Sequence, residues 1–228
     1  MTQPEHPPTD SLQRTQEAET RTAYDTVADS YEALVRSSLA ESPVDRAVLA
    51  LFAEQVLAGA GGPVGDLDCG PGRVTAHLAA LGVSAFGVDL SPGMVAVARR
   101  CHPQLRFQVG SLSSLDLPDG GLAGAVVWYS LIHVRPEDQP AVFAELDRVL
   151  RPVAPLLLAF QAGADEPVHH RQGYGHEISL HGWRLDPDRV ERQLADAGLE
   201  VRARVLREPE PSVYEKSRQA YLLAVRTG

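Results

Sequence analysis

Apolar positions along the chain follow two rhythms, and the changes between them mark its elements. Tyr24, Val27, Ala28, Tyr31, Leu34 and Val35 recur at three-and-four spacing, which predicts an amphipathic helix from about Glu17 to Leu39. Pro43 opens a second helix that the glycines from Gly59 to Gly62 stop. Before both, Met1 to Gln16 is polar and carries Pro4, Pro7 and Pro8, which predicts a disordered tail over 1–16. A short apolar run then ends in the acidic loop Asp66-Leu67-Asp68-Cys69-Gly70-Pro71-Gly72, and helical spacing resumes from Val74 to Leu81.

The alternation continues to the far end. Val83 to Val88 reads as a strand ending at Asp89, and Ser91-Pro92 starts a helix that stops before Pro103. Leu105 to Val109 alternates as a third strand. Leu122 to Tyr129 is an apolar run suited to a buried central strand. A helix from Pro136 to Leu150, a strand from Leu156 to Phe160 and a helix from Asp186-Pro187 to Ala197 follow. Val201 to Leu206 and Ala220 to Arg226 read as a closing pair of strands. The order predicts one α/β domain over 17–228, its sheet mostly parallel with an antiparallel strand at one edge and helices on both faces. Its two leading helices, about 17–60, are placed to lie over a ligand site as a lid. Ala164 to Trp183 is read as a long polar connection.

Composition narrows the partners. The 228 residues are 44% hydrophobic, enough for a substantial core, and carry a formal net charge of -9. That balance argues against nucleic acid and anionic membranes, which both select clustered cations. Neither a membrane-length apolar run nor a leader pattern is seen, so a cytoplasmic location is expected. Cys69 and Cys101 show no metal spacing, and a disulfide between them is not expected. His169 and His170 are adjacent without a matching His-rich helix, so no metal site is expected either.

Candidate chemistry begins at the glycine loop. Strand, glycine turn and helix together aim helix N-terminal N–H groups at a ligand, and Gly70 and Gly72 allow close approach of the main chain. Asp89 follows at roughly the ~20-residue interval at which a second-strand carboxylate accepts hydrogen bonds from both hydroxyls of a ribose. Loop and acid favour a nucleoside ligand over an ordinary turn. A nicotinamide cofactor is disfavoured because Thr75 stands where the third glycine of that fingerprint belongs.

The chain resembles the class I S-adenosylmethionine (SAM) dependent methyltransferases, of the small bacterial type that acts on small molecules. The likeness covers roughly Tyr24 to Arg226. It rests on Asp66 to Gly72, on Val88-Asp89-Leu90-Ser91-Pro92-Gly93-Met94, and on Gly110-Ser111-Leu112 before Leu117-Pro118. Leu131-Ile132-His133-Val134 and Leu146 to Pro152 complete the ordered series. The resemblance implies a Rossmann-like sheet of seven strands with SAM at the carboxyl ends of the central ones, and S-adenosylhomocysteine (SAH) as product. By the same resemblance Asp66, Cys69, Gly70 and Gly72 hold the methionine end, Asp89 the ribose, Leu90 and Met94 the adenine faces, and Gly110, Ser111 and Leu112 its edge. Tyr24 corresponds to a lid tyrosine at the methionine carboxylate, and Tyr129 ends the fourth strand beside the cofactor.

One departure stands out. Relatives carry glycine where this chain has Asp68, and a Gly-Gly where it has Val153-Ala154. An unpaired carboxylate in the loop would weaken SAM binding, so that Asp68→Gly binds more tightly, or else it would pair with the ligand's ammonium or sulfonium. His133, just past the fourth strand, is the candidate general base, with loop packing as its bland role. Tyr31, His170, Tyr174, His176 and Trp183 are the candidates for an acceptor pocket. Two readings therefore compete: methyl transfer to an O, N or C atom of a small metabolite by a monomer or homodimer, and a SAM-fold protein that has lost methylation, a binding module or a non-methylating SAM enzyme.

Overall fold

The computed structural model describes residues 9–210 and 215–228, with only the backbone of 9–11. Its helices are α1 (Thr9–Val35), α2 (Ser38–Glu41), α3 (Pro43–Ala58), α4 (Arg73–Ala80), α5 (Pro92–Cys101), α6 (Gln139–Val149) and α7 (Pro187–Asp196). Its strands are β1 (Val64–Leu67), β2 (Ala85–Asp89), β3 (Phe107–Val109), β4 (Gly124–Trp128), β5 (Pro155–Gln161), β6 (Glu166–Gly173), β7 (His176–Arg184), β8 (Leu199–Arg207) and β9 (Gln219–Arg226).

Seven strands form one sheet in the order β3-β2-β1-β4-β5-β9-β8, and β6 and β7 pair separately. All pairings from β3 to β5 are parallel, and β9 runs antiparallel between β5 and β8 at one side. Strand alternation sends neighbours to opposite faces. Val126 and Leu157 pack against Leu49, Phe52 and Val56 of α3 and Leu78 of α4. Val127 and Leu158 pack against Val142, Phe143 and Leu146 of α6 and Val190 and Leu194 of α7. This is the α/β sheet with helices on both faces that the apolar rhythm predicts. The strand order reverses between β1 and β4, so their carboxyl ends open a crevice where ligands of such sheets bind.

Three expectations need correction. The tail expected over 1–16 is helical from Thr9, while 1–8 lie outside the described residues. The polar stretch is held by long-range bonds that composition does not register: the Gln16 amide donates to the carbonyl of His133 at 2.6 Å. The first helix ends at Val35 instead of Leu39, which falls in the separate short α2. The connection from Ala164 to Trp183 is mostly a β-hairpin. Tyr174 and Gly175, at φ 56° and 82°, make the two-residue turn that hairpin twist favours. Arg189 of α7 grips Asp165 at the hairpin's root with two bonds of 2.8 Å.

Two of the three positions expected as glycine from the resemblance prove left-handed: Asp68 at φ 60° and Val153 at φ 59°. A β-branched side chain there is a genuine outlier. Val153 is 76% exposed, so its side chain gains little packing in return. Val153→Gly is expected to stabilise the fold by about 1 kcal/mol in urea unfolding. A variant less stable than the parent would show that the strain is not real.

Candidate active site

The β1-to-α4 turn is shaped by three left-handed residues, Asp68, Gly70 and Gly72. A side chain at Gly72 would come within 2.8 Å of the Phe107 ring, so glycine is required by space as well as by its φ of 84°. Asp89 at the end of β2 ties this turn to the next one. Its Oδ2 accepts from the Gly70 N–H at 2.7 Å and its Oδ1 from the Ser91 N–H at 2.8 Å. Burial pushes its carboxyl up to about 6, against those two N–H bonds.

Asp66 is fully buried. Its Oδ2 accepts from the Thr75 hydroxyl at 2.6 Å, and its Oδ1 has no partner among the described residues. Burial pushes this carboxyl up to about 6 as well. The indole N–H of Trp128, at the end of β4, is likewise buried and unpartnered. Asp66 and Trp128 line the same small hollow beside Gly70 and Arg73. An unpaired acceptor and an unpaired donor in one hollow suit a zwitterion. Trp128 is a residue that sequence reasoning missed; only its place at the end of a central strand hinted at it.

Helix α1 covers the crevice. Asp25 Oδ1 accepts from the Ser91 hydroxyl at 2.5 Å and the Gly93 N–H at 2.8 Å, pinning α1 to the start of α5. Ser91 also caps that helix, its hydroxyl accepting from the Met94 N–H at 3.0 Å. Glu17 Oε1 accepts from the Ser113 hydroxyl at 2.6 Å and from that of Ser111 at 3.3 Å. Beneath α1 two cavities of about 50 and 60 Å³ remain, sharing Thr20, Asp68, Leu90, Ser130 and His133 as walls. Ser111 and Leu112 stand at one end, and Tyr24, Tyr31, Asp89, Met94 and Tyr129 at the other.

His133 closes a short 3-10 turn (Leu131–His133) and is clamped from two sides. Its Nδ1 lies 2.9 Å from the His181 carbonyl oxygen and its Nε2 2.8 Å from the Tyr24 hydroxyl. A carbonyl only accepts, so Nδ1 carries the hydrogen and Nε2 accepts from Tyr24. Burial lowers the pKa of His133 and raises that of Tyr24, keeping both neutral. Gly182 lets β7 pass close: a Cβ there would stand 3.3 Å from the Ile132 carbonyl oxygen.

The sequence candidates divide accordingly. Tyr24, Tyr31 and Tyr174 form an edge-to-face series, with centroids 5.9 Å apart for the first pair and 5.0 Å for the second. His170 is exposed on β6. His176 is exposed beside the hairpin turn, and Trp183 packs on the apolar core instead. Cys69 turns its thiol into the core with Val95, Ala98 and Phe107, leaving its backbone at the loop. Gly110 is held to the Asp89 carbonyl by its N–H at 3.0 Å. Glu17 and Ser113 were missed, because their meeting joins positions far apart in the chain.

Residues 64–153 match the family model for a methyltransferase domain. Over those residues, which are less than half of the chain, the protein is similar to methyltransferase domains. It is 36% identical over 94 residues to the demethylmenaquinone methyltransferase of Beutenbergia cavernae, covering 41% of this chain and 38% of that protein. The chain thus spans well under half the length of that relative. Magnesium protoporphyrin IX methyltransferase of Synechocystis, solved with bound SAM, superposes with a TM-score of 0.68 at 18% identity, over 99% of this chain and 100% of that one. The 4+2 cyclase SpnF superposes with a TM-score of 0.69 at 17% identity, over 92% and 97%. At that identity the two structures show the class I methyltransferase fold.

Proposed function

We propose that this protein transfers a methyl group from SAM to an O, N or C atom of a small metabolite. The observation that carries the reading is the pair of aspartates at the ends of β1 and β2. Asp89 joins the glycine turn to the next loop and faces the crevice where a ribose would lie. Asp66 presents a buried, unpaired oxygen that an ammonium would satisfy, while the Trp128 N–H and the Arg73 guanidinium in the same hollow suit a carboxylate. The residues present therefore fit SAM. Leu90 and Met94 would hold the adenine between them and Ser111 its edge, once Glu17 of the α1 lid releases that hydroxyl.

Bound SAM supplies a methyl on a sulfonium, and its in-line displacement needs chiefly alignment. Tyr24, Tyr31 and Tyr174 form a wall suited to an aromatic or apolar acceptor. His133 Nε2 would take the acceptor's proton once Tyr24 moves aside; the C–S electron pair stays on sulfur. His133→Ala is expected to lower kcat by roughly 10- to 100-fold, with SAM affinity within about threefold of wild type. Loss of SAM binding with unchanged kcat would make His133 a cofactor residue instead. The net charge of -9 supports a small-molecule acceptor without nucleic acid. No described helix is long and apolar enough to cross a membrane. A cytoplasmic monomer or homodimer is the assembly we infer.

Calorimetry with SAM against NAD tests the reading directly. Submicromolar to micromolar SAM binding without NAD binding is expected, and the reverse overturns it. Asp68 keeps a second reading open, a SAM-fold protein without methyl transfer. Methyl-labelled SAM distinguishes the two, since only transfer moves the label to a second product.

A further inference from the structure

Asp68 occupies a left-handed position at φ 60°, which glycine adopts most easily and Asn or Asp more readily than other residues. Its side chain contributes to the walls of both cavities under α1 and of the hollow at the glycine turn. No hydrogen-bond donor meets its carboxylate among the described residues. The acidic groups whose charge acts on it are Asp89, Glu17 and Asp66, from three different elements. Arg21 lines one of these spaces and Arg73 another, but neither pairs with Asp68. Tyr24 and His133, which line one of these cavities, are neutral and bonded to each other. The centre of the crevice is thus a cluster of four acidic side chains, of which Asp68 alone accepts no hydrogen bond among the described residues.

Desolvation and these neighbouring charges raise the pKa of this half-buried carboxyl, and a positive charge brought beside it would favour its ionised form. A sulfonium provides charge and no hydrogen to donate, so it complements a carboxylate whose surroundings supply no N–H. The thioether left after methyl loss provides neither. We propose that Asp68 makes this site charge-selective: it favours the sulfonium nucleoside over its neutral thioether product, and so limits product inhibition. The inference rests on the SAM reading above and adds the ligand preference of the site. It also favours the second of the two consequences expected of Asp68 from sequence, pairing with the cation rather than simple weakening of binding.

The test is calorimetry of the full chain with SAM, with SAH and with an aza analogue carrying an ammonium in place of the sulfonium. Wild type should bind SAM and the aza analogue at least about tenfold more tightly than SAH, roughly 1.4 kcal/mol. Asp68→Asn, which keeps shape and removes charge, should bring the SAM-to-SAH ratio near unity, mainly by weakening SAM. Asp68→Gly relieves the left-handed strain, so it serves as the variant certain to tolerate the turn, and it should lose the preference likewise. A ratio unchanged within twofold in either folded variant overturns the proposal, as does a wild type that prefers SAH. If neither SAM nor SAH binds the wild type, the SAM reading itself fails, and this inference with it.

Discussion

Asp89→Ala is expected to weaken SAM binding by roughly 100- to 1,000-fold. The side chain has two tasks. It ties the Gly70 N–H and the Ser91 N–H together, at 2.7 and 2.8 Å, and so sets the spacing of the two loops that would flank the nucleoside. It is also the one carboxylate at the end of β2 that can accept from ribose hydroxyls. Hydrogen bonds to a charged group contribute about 1.5–3 kcal/mol each, so losing two of them accounts for a change of that size. Asp89→Asn should fall between, because its amide NH₂ would face a backbone donor on one side while its oxygen still serves the other. Calorimetry checks both, with unfolding curves to confirm that each variant folds. An alanine variant that binds SAM within threefold of wild type would remove Asp89 from the ribose site.

The second large effect concerns stability against pH. Burial raises the Asp66 carboxyl from 3.8 to about 6. Between those values the folded protein keeps a proton that the unfolded chain has lost. The stability tied to this proton is therefore fully present below pH 3.8 and is lost as pH rises through 6. A rise of 6 − 3.8, or about 2.2, corresponds to roughly 3 kcal/mol at most. Asp89 acts in the same direction and over the same window. Glu145, Asp165 and Glu215, whose carboxyls are lowered, act oppositely, so their stability is lost as pH falls. The difference between wild type and Asp66→Asn isolates the effect. Urea unfolding at pH 4.5 and 7.5 should show wild type losing more stability across the interval, by up to roughly 2 kcal/mol, than the asparagine variant. Parallel losses in the two proteins would mean that Asp66 does not hold a proton in the fold. Added SAM should reduce the difference, since an ammonium beside Asp66 Oδ1 favours the ionised form.

What the chain says unaided is what short range decides. The turn between β1 and α4, the Ser91-Pro92 start of α5 and the buried run of β4 are each specified by neighbouring residues, because glycine, proline and cap oxygens act within one turn of backbone. Alternating strands and helices then leave few ways to cover a sheet, so the fold class follows. The same local logic placed Gly70, Gly72 and Asp89 at one ligand site, to which the family resemblance added Asp66, Asp68 and Ser111. It stopped where side chains meet across the chain. Helix α1 reaches back to Thr9 because Gln16 finds a carbonyl 117 positions away. Tyr24 meets His133 across 109 positions, and Glu17 meets Ser113 across 96. The hairpin was legible in part, since Ile178, Leu180 and Gly182 alternate with exposed or half-buried residues around the turn glycine. Polarity masked that rhythm, and nothing local told that Trp183 would leave the site for the core while Tyr174 joined Tyr31. Which oxygens and N–H groups of the site stay unpaired among the described residues, those of Asp66, Asp68 and Trp128, was decided by tertiary packing alone. An unmet hydrogen bond is a property of everything around an atom, and sequence records only the atom.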